Sequence, residues 1–89
     1  MIVAGDVQGV FFRDTCRRFA IEQSVAGWVR NLPDGTVEAV FEGDAYHVDR
    51  LVEWARNGPS QAIVDCITVF DEPAEGCAGF EIRSTPWRC

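Results

Sequence analysis

The sequence contains no lysine: its eight cationic side chains are all arginine and face 14 acidic ones, so the net charge is -6 over 89 residues. A chain of this charge lacks the basic stripe that nucleic-acid binding requires and the polybasic run that binds an anionic membrane surface. The absence of lysine also excludes a Walker A loop, in which a lysine contacts the phosphates. We therefore expect no nucleic-acid partner and no nucleotide-binding P-loop.

Long hydrophobic runs are also missing. No apolar stretch approaches the roughly 20 residues that a membrane-spanning helix needs. The apolar start, residues 1–4, is too short for a signal peptide. We therefore expect a cytoplasmic protein with no membrane partner. Its length of 89 residues, with 47% hydrophobic residues, is typical of one small domain with a single core.

Zinc-binding patterns are absent too. The four cysteines, Cys16, Cys66, Cys77 and Cys89, are widely separated and form no C-x-x-C pair, and His47 is the only histidine. An even number of cysteines could form two disulfides, but that interpretation requires a secreted protein. We expect free thiols that behave as small, buried hydrophobic side chains, and no zinc site.

Hydrophobic spacing predicts two helices. Between about residues 12 and 23, apolar side chains recur at i, i+4, i+7 and i+8 and form one stripe: Phe12, Cys16, Phe19 and Ala20. A second helix is expected after Asp44, a good N-cap residue, and the Gly-Pro pair at positions 58 and 59 ends it.

Alternating apolar residues predict the strands. Residues 24–32 and 36–42 alternate, and the Pro-Asp-Gly turn at 33–35 indicates that they form a hairpin. The other segments expected are strands at 1–4, 62–70 and 79–83, a loop at 72–76 and a loose tail at 84–89. The order β-α-β-β-α-β favours an α+β, ferredoxin-like sandwich over residues 1–83, with one mostly antiparallel sheet and both helices on one face.

A glycine-bounded loop joins the first strand to the first helix. Residues 5–13 read Gly-Asp-Val-Gln-Gly-Val-Phe-Phe-Arg. A helix start presents unpaired backbone N–H groups and the positive end of the helix dipole, and both favour an anion. Arg13 adds a planar guanidinium that can contact two phosphoryl oxygens at once. The loop is therefore our candidate site for a phosphoryl group.

The residues near this loop exclude several phosphatase mechanisms. Cys16 lies inside the predicted helix and the sixth residue after it is Glu22, so the arginine that closes a cysteine-phosphatase loop is missing. Asp6 and Asp14 stand at opposite ends of the loop and form no obvious carboxylate pair, and no convergent metal-ligand cluster is present. What remains is charge stabilisation and positioning, without a strong general acid.

Such a site requires a substrate that already has a good leaving group. An acyl phosphate fits, because its carboxylate departs without being protonated, whereas a phosphate monoester does not. The attacking water still needs a side chain to hold it. Asn31 stands at the end of its predicted strand, from where its neutral amide could converge on the loop.

At these residues the chain resembles the acylphosphatase family. The family signatures are a G-x-V-Q-G-V-x-F-R loop and a G-x-V-x-N-x-x-D-G-x-V-E hairpin. They stand here at residues 5–13 and 27–38, in the same order and separated by one helix, and the resemblance extends to about residue 83. A nine-residue loop combined with a hairpin that carries a fixed asparagine is far more specific than a short glycine motif.

The resemblance implies a small, monomeric hydrolase that splits acyl phosphates into a carboxylate and inorganic phosphate without metal or cofactor. By the same resemblance, Arg13 binds the phosphoryl group and Asn31 orients the nucleophilic water. The backbone of six loop residues completes the phosphate cradle: Val7, Gln8, Gly9, Val10, Phe11 and Phe12. The physiological acyl phosphate is not indicated.

Two other interpretations stay open. The ferredoxin-like fold also serves non-enzymatic ligand-binding or interaction modules, although such a module has no need of Arg13 and Asn31. Alternatively, the domain is specific for carbamoyl phosphate, as in the acylphosphatase-like domain of some carbamoyl-transferring maturation proteins; we expect no downstream domain, which argues against this alternative. The chain also departs from the family in a shorter first strand and in Asp6, whose negative charge beside an anion site would weaken phosphate binding.

Overall fold

Two helices and five strands make up the computed structural model, which describes residues 1–86. In chain order they are β1 (Ile2–Asp6), α1 (Phe12–Glu22), β2 (Ala26–Asn31), β3 (Val37–Glu42), α2 (Ala45–Ala55), β4 (Ile63–Thr68) and β5 (Phe80–Ile82). The expected α+β, ferredoxin-like arrangement is confirmed, and β5 adds a fifth strand after the predicted β-α-β-β-α-β order. The last three residues of the predicted tail, residues 87–89 with Cys89, lie outside the described residues.

The five strands form one sheet in the order β4-β1-β3-β2-β5. β1 is antiparallel to both β3 and β4, and β2 is antiparallel to β3, whereas β5 is parallel to β2. The predicted hairpin is therefore confirmed, and its last pair before the turn joins Asn31 to Val37. This register fixes where Asn31 stands relative to the strands around it.

The core lies between the helices and one face of the sheet. The predicted stripe of α1 is buried at Phe12, Cys16 and Ala20, and α2 contributes Leu51 and Ala55. The sheet contributes fully or almost fully buried side chains from its three inner strands: Val3, Val29, Val37 and Ala39. The two helices also meet directly, because the ring of Trp54 on α2 lies 5.1 Å from that of Phe12. This packing fixes the N-terminal turn of α1 against the sheet.

Local sequence accounts for the ends of both helices. Asp44 caps α2 as predicted, because its side-chain oxygen accepts a hydrogen bond from the Tyr46 N–H at 2.9 Å. Helix α1 has Phe11 as its N-cap residue, with no hydrogen bond from a capping side chain. The two helix starts therefore differ, because a side chain caps the start of α2 and no side chain caps the start of α1.

Glycine is required where β1 leads into the loop. The register between β1 and β4 shifts between Ala4 and Gly5, and Gly5 has a φ of 131°. A Cβ atom at this position would collide with the backbone oxygen of Ile63 on β4. The irregular pairing lies just before the end of β1, where the chain enters the segment that precedes α1.

The expectation for the cysteines is confirmed only in part. Cys16, Cys66 and Cys77 carry free thiols. Cys16 is buried as expected, but Cys66 is exposed and Cys77 is half-buried. The prediction of small buried hydrophobic side chains is therefore wrong for Cys66, because β4 is an edge strand with little packed over it.

Candidate active site

The loop between β1 and α1, residues 7–11, is anchored in the core at both of its ends. Val7 before the loop's glycine is 1% exposed, and Phe12 at the start of α1 is 2% exposed. Between them, Gly9 and Phe11 adopt left-handed conformations with φ of 73° and 61°. A left-handed phenylalanine is strained, by about 1–2 kcal/mol. Such turns aim successive backbone N–H groups into a concave surface that suits an anion.

The start of α1 leaves its first backbone N–H groups without a capping side chain. Uncapped N–H groups and the helix dipole together make this end of the helix a site for a negative charge. Asp14 stands in the same first turn, but its carboxylate is exposed and lies 3.9 Å from the Arg18 guanidinium. The backbone of the helix start is therefore free to bind an external anion.

Arg13 lies in a cleft of about 300 Å³ in front of the helix start. Seven residues line the cleft: Val7, Gly9, Phe11, Phe12, Arg13, Asp14 and Ile82. Within residues 1–86, Arg13 makes no hydrogen bond to a side chain and has no carboxylate within 4.0 Å. By contrast, Arg30, Arg56 and Arg83 each hold a glutamate at 2.7–2.8 Å. The guanidinium of Arg13 is thus available to a ligand.

A larger groove of about 410 Å³ runs along α2 and residues 69–73. Its charged lining is mainly acidic, with Glu42, Asp49, Asp71 and Glu72. The cation among its described lining residues, Arg56, is already paired with Glu53 at 2.7 Å. Since the side-chain charges of this groove are mainly acidic and its arginine is paired, the smaller cleft at Arg13 is the better site for a phosphoryl group.

Gln8 does more than the sequence predicted for it. We expected a contribution from its backbone alone, but its side-chain amide donates hydrogen bonds to the backbone oxygens of Leu32 and Thr36, both at 2.9 Å. These two oxygens belong to the turn of the β2–β3 hairpin, immediately after Asn31. The Gln8 side chain therefore joins the loop between β1 and α1 to the turn of the hairpin.

Asn31 stands at the last position of β2, beside the cleft rather than in its lining. Two residues earlier, Val29 pairs with Ile82 of β5, which does line the cleft. The Asn31 side-chain oxygen, Oδ1, is buried and accepts no hydrogen bond from any described residue. Buried polar atoms nearly always have a partner, so this acceptor suits a small hydrogen-bond donor such as water.

The predicted site residues thus fall into three groups. The cleft brings together Val7, Gly9, Phe11, Phe12 and Arg13. Val10 packs against the core, and Gln8 points to the hairpin. Asn31 lies at the adjoining sheet edge. The sequence analysis missed Ile82 as a lining residue; Ile82 is 40% exposed, whereas Phe80, on the same strand, is buried.

Other chemistries find little support in the residues described. Burial raises the pKa of Cys16 to about 12, so this thiol stays protonated and is a poor nucleophile. In residues 1–86, no group of three or more histidine, cysteine, aspartate or glutamate side chains could hold a metal ion. Over the same residues, neither helix has the length and apolar character needed to cross a membrane.

Known proteins resemble the chain along nearly its whole length. An acylphosphatase of Rubrobacter xylanophilus is 60% identical over 82 residues, covering 91% of this chain and 74% of the relative. The crystal structure of acylphosphatase from Bacillus subtilis superimposes with a TM-score of 0.87 at 38% identity and covers 92% of each chain. The HypF of T. kodakarensis matches with a TM-score of 0.81 at 31% identity, over 97% of this chain and 12% of that one.

The family profile described as acylphosphatase matches residues 1–82, which includes both the loop between β1 and α1 and the hairpin. The match therefore spans every strand and helix of the fold and every residue of the cleft. A non-enzymatic module is not favoured by relatives that carry the name of an enzyme at this identity. By sequence and by structure alike, the chain belongs to the acylphosphatase family.

Proposed function

We propose that this protein hydrolyses acyl phosphates to a carboxylate and inorganic phosphate. The phosphoryl group binds to Arg13 and to the backbone N–H groups of residues 7–12, and Asn31 orients the attacking water. The observation that carries this assignment is the unpaired guanidinium of Arg13 in a cleft at the uncapped start of α1. A cation in the first turn opposes the helix dipole unless an anion is bound there.

In the reaction, the water oxygen attacks phosphorus while the bond from phosphorus to the acyl oxygen breaks. The electron pair of that bond leaves with the carboxylate, and the protons of the water stay on the phosphate or pass to solvent. Arg13 and the loop stabilise the charge on the equatorial phosphoryl oxygens. Asn31 Oδ1 accepts a hydrogen bond from the water and holds it in line, which is a contribution of position rather than of acid–base chemistry.

The acyl leaving group is central to this mechanism. Among the described residues that line the cleft, Asp14 is the one carboxylate, and it is exposed and close to Arg18. A site with this lining offers no strong general acid for an alkoxide leaving group. The carboxylate of an acyl phosphate needs no such acid, so the substrate class follows from the chemistry of the lining.

Three further properties are part of the proposal. The enzyme acts without metal or cofactor, works as a monomer, and resides in the cytoplasm, where the free thiols of Cys16, Cys66 and Cys77 suit a reducing environment. The substrate is a small molecule rather than a nucleic acid, in keeping with the net charge of -6. We leave the acyl group undefined, and carbamoyl phosphate belongs to the same substrate class.

The proposal is tested by following phosphate release from acetyl phosphate and from an alkyl phosphate monoester of similar size. We expect kcat/KM for the acyl phosphate to exceed that for the monoester by a factor of about 10³ or more, because only the former has a leaving group that needs no proton. Equal turnover of the two substrates would reveal an acid or nucleophile that this mechanism lacks.

A further inference from the structure

The amide of Gln8 is the direct hydrogen-bonded link between the phosphate loop and the hairpin that carries Asn31. Its Nε2 atom donates to Leu32 O and Thr36 O at 2.9 Å each, across 24 and 28 residues of sequence, and the bonds are partly shielded from solvent. Leu32 follows Asn31 in the chain, so a displacement of this turn acts on the end of β2 at which Asn31 stands.

The loop does not depend on Gln8 for its own shape. Val7 and Phe12 are buried on either side of it, Val10 packs against the core, and the left-handed residues set its turns. The phosphoryl-binding groups are therefore held by the core even when the Gln8 amide is removed.

The hairpin turn is held less firmly. Residues 33–35 are exposed, and the turn is closed by hydrogen bonds from Leu32 N to Thr36 O at 2.9 Å and from Gly35 N to Leu32 O at 3.2 Å. These bonds fix the internal shape of the turn but not its distance from the loop. The pairing of β1 with β3 at Val3 and Val37 fixes the base of the hairpin, and the Gln8 amide, which meets both turn oxygens, holds the turn itself to the loop.

We propose that Gln8 is a positioning residue that places Asn31, and thus the attacking water, relative to the phosphoryl group bound at Arg13. This inference rests on the proposed function, in which Asn31 orients the water. Reactivity falls steeply with misplacement of a reacting group, by up to about 10²-fold for roughly 1 Å. A side chain that touches neither water nor phosphate can therefore control the rate.

The first test is Gln8→Met, which keeps the length of the side chain and removes its donor. Leu32 O and Thr36 O retain their partners within the turn, so the variant should fold. We expect kcat for acetyl phosphate to fall about tenfold, while KM and inhibition by inorganic phosphate change by less than about twofold. Gln61→Met, at an exposed position in the turn before β4, is the matched control and should change neither parameter.

The second test places the same change in the Asn31→Ala variant. Asn31→Ala alone should lower kcat by about 10²-fold, with little change in phosphate inhibition. If Gln8 acts through Asn31, adding Gln8→Met should lower kcat by less than about twofold further, since the amide it positions is gone. If Gln8→Met fails to fold, Gln8→Asn, which is too short to reach both oxygens, replaces it in both tests.

The outcomes separate this inference from the function on which it rests. An unchanged kcat in Asn31→Ala would contradict the proposed water-orienting role itself. A large loss in Asn31→Ala with an unchanged kcat in Gln8→Met would overturn the positioning role alone. The positioning role of Gln8 is also overturned if its substitution costs as much in the Asn31→Ala background as in the wild type, or weakens phosphate inhibition as strongly as kcat.

Discussion

Among the arginines of α1, Arg13 differs in its surroundings rather than in its sequence context. Arg17 and Arg18 are exposed, and Arg18 lies 3.9 Å from Asp14. Arg13 is half-buried in the cleft, and no carboxylate of residues 1–86 lies within 4.0 Å of its guanidinium. A half-buried cation that its own protein leaves unpaired is poised to bind an anion, since each of its hydrogen bonds to a phosphoryl oxygen would be charge-assisted.

Replacing Arg13 with lysine keeps the charge and removes the planar fork. We expect Arg13→Lys to lose at least ~2–3 kcal/mol of transition-state stabilisation, seen as a fall in kcat/KM for acetyl phosphate, because a lysine cannot contact two phosphoryl oxygens in the same geometry. Competitive inhibition by inorganic phosphate should weaken in parallel. Arg17→Lys, one turn further along α1, is the control. A nearly wild-type Arg13→Lys would mean that the backbone alone binds phosphate.

Sequence patterns predicted some residues of this site better than others. The position of Arg13 at a helix start and that of Asn31 at a strand end both follow from local periodicity, and the structure has them there. Their catalytic roles stay predictions. The contact made by Gln8 could not be predicted, because its partners are two backbone oxygens, and every residue has such an oxygen whatever its side chain.

At the level of elements, the strand interiors were predicted well and the strand ends were not. β4 was expected to continue to residue 70 but stops at Thr68. Thr68 pairs with Ile2, the first residue of β1, so among the described residues no further strand lies beside β4 beyond Thr68. β2 likewise begins two residues later than expected, after the left-handed turn at Ser24. The propensity of a segment to form a strand depends on its local sequence. Where that strand ends depends on the neighbouring strand with which it forms hydrogen bonds.

A carboxylate at the end of β3 helps to hold the segment before β5 to the sheet. Glu42, at the end of β3, accepts hydrogen bonds from the backbone N–H groups of Glu75 and Cys77 at 2.6 Å and 3.0 Å. These bonds hold the pKa of Glu42 below its usual range. Since β5 carries Ile82 into the cleft, this attachment connects a surface carboxylate with the wall of the site.

Substitution of this carboxylate should change how stability depends on pH. A lowered folded-state pKa means that the Glu42 contribution is present above the ordinary glutamate pKa and is lost as pH falls through the lowered value. We expect Glu42→Gln to reduce the melting temperature by a few degrees at pH 7, and the difference from wild type to shrink in acid. Glu22→Gln, exposed on α1, serves as control. A difference that does not vary with pH would contradict the role of the charge.

For the whole molecule, the acidic charge and the anion site oppose each other. With a net charge of -6, the long-range field repels an acyl phosphate, so binding in the proposed mechanism depends on groups within a few ångströms: the Arg13 guanidinium and the N–H groups of the loop and helix start. The fold supplies these groups at one edge of the sheet, where β1 ends and the hairpin turns. These groups lie close together because of the order of the strands in the sheet, and not because of the sequence of any one segment.

The potential metal ligands of the described chain bear on whether the activity depends on a metal. Nowhere in residues 1–86 do three potential ligand side chains converge, and a carboxylate leaving group needs no Lewis acid. Protein treated with a chelator and assayed in metal-free buffer should therefore hydrolyse acetyl phosphate with unchanged kcat and KM, and added Mg²⁺ or Zn²⁺ should not raise the rate. The melting temperature before and after treatment is the control for structural damage. Activity that disappears on chelation and returns with one metal, at a constant melting temperature, would require a different mechanism at Arg13.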